Sequence, residues 1–402
     1  MSNLPLEGVK VISLCNFVAG TTVTRYFSEF GAEVIQIESL AGDPWRYYGP
    51  ANNVPANEKE NPIYDIFNAH KKGIALDMKD PRGKDILFKL LEDADIFVTN
   101  TRINGLQRLG IDYDSIKERF PKLVYGVLTG YGSKGPDAAK PGYDGVAFFA
   151  TSGLLRDATE ASGYPMVPPA SGGDIITGTT LYAGLLTAYI NALKTGKGDL
   201  VEVSLYGAAT WVCAQPVLVS QPRFGDVYPK YRPGIKPLNT AYKCQDGEWL
   251  LLWIMQPERY FKTVCTILGI PEIADDPRFN TKAGILNNRA ELIPILEHAF
   301  EKFDSAYLME QFVANDITAT MAKHYNDAYT DPQALENDYM REVTFESGNK
   351  AFIPMIPIKS RNCGTIEFKR GPLLGEHTDE VLNRLHYTAG EIEALRADNV
   401  VK

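Results

Sequence analysis

Val9-Lys10-Val11-Ile12-Ser13-Leu14, then Val23, Tyr26, Phe27 and Phe30, then Glu33-Val34-Ile35-Gln36-Ile37 decide the fold class. The first run has the length and apolar, β-branched character of a buried strand. The second set recurs at i, i+3, i+4 and i+7, one face of a helix, and the third run is again a strand. The alternation continues. Residues 74–77 are a short β-like run, and Leu87, Leu90, Leu91 and Ala94 form a helical stripe. Asp95-Ile96-Phe97-Val98 is a third strong strand, residues 113–120 a short helix and residues 123–128 a fourth strand. Strand–helix alternation of this kind predicts an α/β fold, a mostly parallel sheet covered on both faces. Open sheets of this type bind ligands at the carboxyl ends of their strands. Asn16 follows the first strand, Glu38 the second and Asn100 the third, and Tyr143 and Asp144 lie in the loop after the fourth, so a common cleft is expected there.

Further along, Leu181, Leu185 and Ala188 predict a long helix over 175–193 that ends at Gly196, and residues 201–205 resume as strand. Composition changes near Gln221. Residues 222–237 carry four prolines and read as linker. The predicted organisation is a large domain over 1–220, a linker over 221–238 and a smaller α+β domain over 239–330. A return linker and the C-terminal part of the large domain follow over 331–402. Residues 352–357 read as a second linker-like run, and 389–398 as a terminal helix.

The chain has 402 residues, more than one ordinary core, with 45% hydrophobic and 23% charged residues, as a globular protein has. A net charge of −9 argues against a general nucleic-acid surface, while leaving room for one basic pocket. The start, Met1-Ser2-Asn3-Leu4-Pro5, lacks the basic and apolar regions of a signal peptide. The strongest apolar run, residues 249–255, is too short to cross a membrane. Five scattered cysteines without a Cys-x-x-Cys, and five histidines without a ligand pair at helical spacing, indicate no disulfide framework and no metal site. A cytoplasmic, metal-free protein is expected.

Gly172-Gly173-Asp174 stands directly before the predicted long helix. The glycines allow close approach of a ligand or a second backbone. The aspartate falls at a helix start, where it serves as an N-cap worth about 1 kcal/mol or as a nucleophile. Gly130-Tyr131-Gly132-Ser133-Lys134-Gly135 matches the dinucleotide pattern G-x-G-x-x-G literally. A helix must open at those glycines, and Pro136-Asp137 and Pro141-Gly142 follow instead. The first strand–helix turn, Asn16-Phe17-Val18-Ala19-Gly20, lacks the pattern. Arg46, Lys71, Lys72, Lys79, Arg102 and Arg108 form a modest basic set, of which a polyphosphate cofactor would use two or three.

Taken together, these residues resemble a known family. Ala19-Gly20, Gly31-Ala32-Glu33-Val34-Ile35-Gln36-Ile37-Glu38 and Gly42-Asp43-Pro44-Trp45-Arg46 are similar to the opening of the family III CoA-transferases (CaiB/BaiF type), which include formyl-CoA transferases, carnitine CoA-transferases and 2-methylacyl-CoA racemases. The similarity continues through Phe67-Asn68, Lys71-Lys72, Leu76-Asp77-Met78-Lys79, Ala94-Asp95, Asn100, Arg108-Leu109-Gly110, Gly130-Tyr131-Gly132, Gly173-Asp174, Thr195-Gly196-Lys197-Gly198 and Gly371-Pro372-Leu373-Leu374-Gly375-Glu376-His377-Thr378. It runs from residue 8 to the C-terminus. Over its whole length the chain looks most similar to the branch that serves (R)-2-hydroxy acids in anaerobic amino-acid fermentation.

The resemblance implies a Rossmann-like large domain formed from both chain ends, a small domain between them, and two chains interlocked as a homodimer. The family's nucleophilic aspartate falls on Asp174, which would attack the thioester of an acyl-CoA. CoA is then a substrate, and no cofactor is permanently bound. The expected CoA contacts are Ala19, Leu76, Lys79, Asn100 and Arg108, with Arg46 and Lys72 as further phosphate candidates. The expected acyl site has Asn16, Phe17, Val18, Tyr143 and Asp144, with apolar groups from the partner chain's small domain. The implied partners are an acyl- or enoyl-CoA and a 2-hydroxy acid, 2-hydroxyisocaproate ahead of phenyllactate. The chain also departs from the family. Tyr143 stands where the racemase branch has a histidine, which removes that branch's base. The region 231–239 has Gly234 alone in place of a glycine-rich lid, and Ser39 replaces an arginine of the formyl-CoA branch. A racemase of the same fold is the alternative, and a nicotinamide dehydrogenase the more distant one.

Overall fold

The structure is a computed structural model and describes residues 4–166, 168, 171–364 and 366–402. Strands β1 (Lys10–Leu14), β2 (Glu33–Glu38), β3 (Lys72–Ala75), β4 (Ile96–Thr99), β5 (Val124–Thr129) and β6 (Leu200–Ser204) form one sheet in the order β3-β2-β1-β4-β5-β6. Every pairing in it is parallel. This is the strand order of a Rossmann-type sheet, and it reverses between β1 and β4.

Side chains alternate across a strand, and both sets are buried here. Val11, Val34, Ile96, Val98 and Val124 face one layer, which holds the helices Ala19–Glu29 and Gly172–Thr195. Ile12, Ile35, Phe97, Tyr125 and Val127 face the other, with the helices Pro81–Glu92, Thr378–Arg384 and Ala389–Ala397. Double burial explains why these strands read as continuous apolar runs without a polar face. The chain end returns to this sheet, where Val401 bridges to Leu76.

The chain divides into two compact units. The first comprises residues 1–155, 167–219 and 331–402, and the second 156–166 and 220–330. Residues 156–166 lie within the stretch that the sequence reading gives wholly to the large domain. In the second unit β7 (Asn239–Lys243), β8 (Trp249–Trp253) and β9 (Ala319–Met321) form an antiparallel sheet. Its inner face, Tyr242, Leu250 and Leu252, packs with Phe261, Phe300 and Phe312 of the surrounding helices. The run at 352–357, read as linker, is in part a strand: β10 (Met340–Thr344) pairs antiparallel with β11 (Lys350–Pro354) in the first unit. Pro354 misled that reading. A proline is tolerated at the end of an edge strand, and Ile353 with Val343 supplies the buried face. No helix among the described residues is long and apolar enough to cross a membrane. Among the same residues no group of three His, Cys, Asp or Glu is placed to hold a metal ion.

Candidate active site

The reversal of strand order between β1 and β4 opens a crevice at their carboxyl ends. Leu14 stands opposite Thr99 in register, so the turns leaving the two strands lie side by side. Asn100 joins them. Its Nδ2 donates to the Asn16 carbonyl at 2.7 Å, and its Oδ1 accepts the Asn16 N–H at 3.0 Å. Phe17, next in the turn, has a φ of +59°, a left-handed conformation unusual for an aromatic residue. Both its peptide groups are held. The N–H donates to the two carboxylate oxygens of Asp43 at 3.1 and 3.0 Å, and the carbonyl accepts from the Thr21 hydroxyl.

Asp43 is 1% exposed. Burial pushes its carboxyl up to about 6, against the pull of the Trp45 and Phe17 N–H groups. Its own N–H donates to Glu38 at 2.7 Å, and Glu38 in turn accepts two bonds from Arg46, at 2.7 and 2.5 Å, and one from Tyr64. Arg46 is therefore enclosed in a structural ion pair with both partners buried, which corrects its expected role at a CoA phosphate. Lys72 is likewise committed, to Glu33 and Glu380. Lys71 is fully enclosed and donates to the Thr21 and Phe67 carbonyls and to Asn68.

Asp174 lies in a cavity of about 210 Å³ at this crevice, lined also by Phe17, Ala19, Asn100, Arg102, Lys140 and Tyr143. The long helix begins at Gly172, earlier than residue 175. Asp174 is thus the third residue of the first turn and not the cap, and Ser171, with a φ of +80°, precedes the helix. The first intrahelical bond runs from the Ile175 N–H to the Ser171 carbonyl. The amides of Gly172, Gly173 and Asp174 thus stand in the turn whose N–H groups have no intrahelical acceptor. Such a turn favours a negative charge.

A wide π-type turn, Asp144–Ala150, supports the helix start. The Asp144 carboxylate accepts from the Ser171 N–H at 2.8 Å and the Gly145 N–H at 2.7 Å, tying the turn to the helix. A Cβ on Gly173 would come within 2.6 Å of the Phe148 ring, so a side chain there would push the two apart. Gly172 has no such constraint, since its nearest contact would be an ordinary 3.6 Å. Asp174 is half-buried, and burial pushes its carboxyl up to about 7, with the Asp144 charge adding to the shift. Among the described residues no hydrogen bond is made to its side chain.

A second cleft, of about 720 Å³, lies at the carboxyl ends of the neighbouring strands β2 and β3. Asn16, Leu76, Lys79, Lys84, Thr101 and Arg108 line it. Among the described residues none of its three cations is held in an ion pair. Thr101 faces this cleft and Arg102 the first, so the two meet at the turn after β4.

All but Asp144 and Val18 of the expected site residues fall into these two clefts. Asp174, Tyr143, Asn100 and Ala19 line the first. Asn16, Leu76, Lys79 and Arg108 line the second, and Asp144 stands behind the helix start. Val18 lines neither, and its side chain is 1% exposed. The sequence reading did not name Lys140 and Lys84, which line the first and second clefts, Lys140 while paired with Asp137 at 2.7 Å. Lys140 shares its turn with Pro141-Gly142 directly before Tyr143, the one local signal for it. The G-x-G-x-x-G match is turn chemistry, with Gly132 and Gly135 both at positive φ.

The fold is Rossmann-type, and its site pairs a half-buried carboxylate in one cleft with a neighbouring cleft lined by three cations. The sequence profile of CoA-transferase family III matches residues 6–378. The chain is 36% identical to the (R)-2-hydroxy-4-methylpentanoate CoA-transferase of Clostridioides difficile, covering 99% of each chain. It is also 36% identical to the cinnamoyl-CoA:phenyllactate CoA-transferase of Clostridium sporogenes, covering 98% of this chain and 96% of that one. A solved CaiB/BaiF family protein from Brucella suis superposes with a TM-score of 0.80 at 27% identity, over 95% of this chain and 100% of that one. The chain belongs to CoA-transferase family III and is an enzyme of that family.

Proposed function

We propose that this enzyme moves CoA between an acyl- or enoyl-CoA and an (R)-2-hydroxy acid through covalent intermediates on Asp174. The observation that carries the reading is the half-buried, unbonded Asp174 carboxylate at a helix start, in a cleft that meets a cation-lined one. CoA lies with its phosphates toward Lys79 and Arg108 and its thioester toward Asp174. The carboxylate attacks the thioester carbonyl, the C–S bond breaks, and a mixed anhydride and CoA thiolate form. Amides of the first helical turn are placed to stabilise the oxyanion. The retained thiolate attacks the aspartyl carbonyl of the anhydride and expels the donor carboxylate, which leaves CoA on Asp174. The acceptor acid's carboxylate then reverses both steps. Nothing is oxidised and no ATP is needed, because the acyl bond stays activated throughout.

Tyr143 donates a hydrogen bond to the thioester oxygen or to the incoming carboxylate. No histidine is among the residues lining the Asp174 cleft, so the proton-shuttling base a racemase needs is not there. Transfer is thus favoured over epimerisation at the α-carbon. The similarity to enzymes named for 2-hydroxy-4-methylpentanoate (2-hydroxyisocaproate) and phenyllactate supports the acceptor class. The working form is a homodimer, supported by the exposed apolar face of the long helix, Ile175, Ile176, Ile190 and Leu193. The test is a CoA-exchange screen read by mass spectrometry, pairing several acyl-CoA donors with 2-hydroxy acids, simple fatty acids and dicarboxylates. Exchange with 2-hydroxyisocaproate or phenyllactate above the other acids is expected. Deuterium incorporation at the α-carbon of a 2-methylacyl-CoA, with no exchange between acids, would overturn the reading in favour of a racemase.

A further inference from the structure

The Asp174 cavity is walled on one side by two aromatic rings. Phe17 meets Tyr143 edge-on, with ring centroids 5.5 Å apart at 78°. Behind it Trp45 is a second edge-on neighbour at 6.5 Å, and Trp45 is itself fixed by a stack on Tyr48 at 4.4 Å and by a bond from its indole N–H to the Ile63 carbonyl. Phe17 reaches this place through the left-handed backbone at +59°. For an aromatic residue that conformation costs free energy, and it persists where the surroundings hold it. The Phe17 carbonyl accepts from the Thr21 hydroxyl, and the Phe17 N–H is held by Asp43, whose two oxygens both accept it while one also accepts the Trp45 N–H at 2.9 Å. One buried carboxylate therefore fixes the backbones of two of these four ring-bearing residues, Phe17 and Trp45, although it does not itself line the cavity.

We propose that Asp43 is a positioning residue that holds Phe17 in its left-handed conformation, so that the Phe17 ring becomes the apolar wall selecting an acid with a bulky side chain. This rests on the transferase reading above and names the group that sets its acyl preference. Removing the ring opens the wall on the side-chain end of the acid. Releasing the Asp43 clamp lets residue 17 relax toward negative φ and carries the ring away, with the same consequence. A glycine at 17 accepts positive φ without strain and has no ring to place, so in that background the clamp has nothing left to position.

The experiment is a double-mutant cycle with Phe17→Gly, Asp43→Ala and the pair. kcat/KM is measured for 2-hydroxyisocaproate, phenyllactate and lactate against one acyl-CoA donor. Phe17→Gly and Asp43→Ala should each lower the preference for the bulky acids over lactate by about 10-fold or more, the discrimination an apolar contact supplies. The KM for the CoA donor should stay within about 2-fold. The double variant should match Phe17→Gly alone. Effects that multiply, or a loss of kcat equal for every acid, would make Asp43 a merely structural residue and overturn the proposal. Asp43→Asn, which keeps one acceptor oxygen, provides an intermediate case should the alanine variant not fold. A crystal structure of the Asp43 variant decides the positioning separately. Residue 17 should leave the positive-φ region, and finding it unmoved against Tyr143 would overturn the clamp. Should the wild type exchange CoA with none of these acids, the substrate reading fails, and the crystal structure still decides the clamp.

Discussion

At Asp174 a half-buried carboxyl sits near a second one at Asp144, and together burial and that charge raise its pKa to about 7. The nucleophile is the ionised form, so the group becomes active as pH rises through the raised value. We expect kcat/KM for the acyl-CoA donor to climb with pH through a single ionisation near 7 and then level. Asp144→Asn removes one of the two causes and should move that midpoint to lower pH. A profile flat from pH 5 to 9 would contradict the assignment. The same shift makes a stability statement. A carboxyl whose folded pKa lies above its unfolded value of about 3.9 binds more protons when folded, so its contribution falls as pH rises from about 4 through 7. Asp174→Asn should therefore abolish transfer, by about a thousandfold or more as for removal of a covalent nucleophile, without lowering Tm at pH 8. Deamidation of the variant is checked by mass.

The elements of the parallel sheet were legible because strands β1 to β5 are buried on both faces and the covering helices Ala19–Glu29 and Pro81–Glu92 keep a 3.6-residue stripe. The register of β1 against β4, which brings Asn16 to Asn100, was not, because strand pairing depends on contacts far apart in sequence. Nor was the start of the long helix. Gly172-Gly173 reads as a loop, yet Gly173 is helical and needed for contact with Phe148 of the π-type turn. Gly173→Ala should cost about 1–3 kcal/mol, as overpacking does, and lower Tm by several degrees; an unchanged Tm would mean the turn yields freely. Among the basic residues the sequence offered a set without saying which were paired. Arg46 is enclosed by Glu38, whereas Lys79 and Arg108 stand beside a cleft, unpaired among the described residues. Charge-assisted bonds contribute about 1.5–3 kcal/mol each, so Arg108→Ala should raise the KM for acyl-CoA about 10-fold or more and leave discrimination among acceptor acids intact. An unchanged KM would move the phosphates elsewhere.

For the whole molecule, a net charge of −9 is set against one cleft with three cations that are unpaired among the described residues. Several large apolar residues are exposed as well. Beside those of the long helix, Trp211 is 79% exposed and Leu218 51%, and the homodimer reading would cover them. Light scattering coupled to gel filtration should give twice the 44.5 kDa chain mass at micromolar concentration. A monomer that still exchanges CoA would contradict the homodimer reading and leave the Asp174 chemistry standing.

That chemistry is tested most directly by trapping. Enzyme incubated with an acyl-CoA alone, then with hydroxylamine, and digested for peptide mass spectrometry should carry a hydroxamate on the Asp174 side chain. The Asp174→Asn protein should carry none. A hydroxamate on another carboxylate, or none while CoA exchange proceeds, would contradict the account.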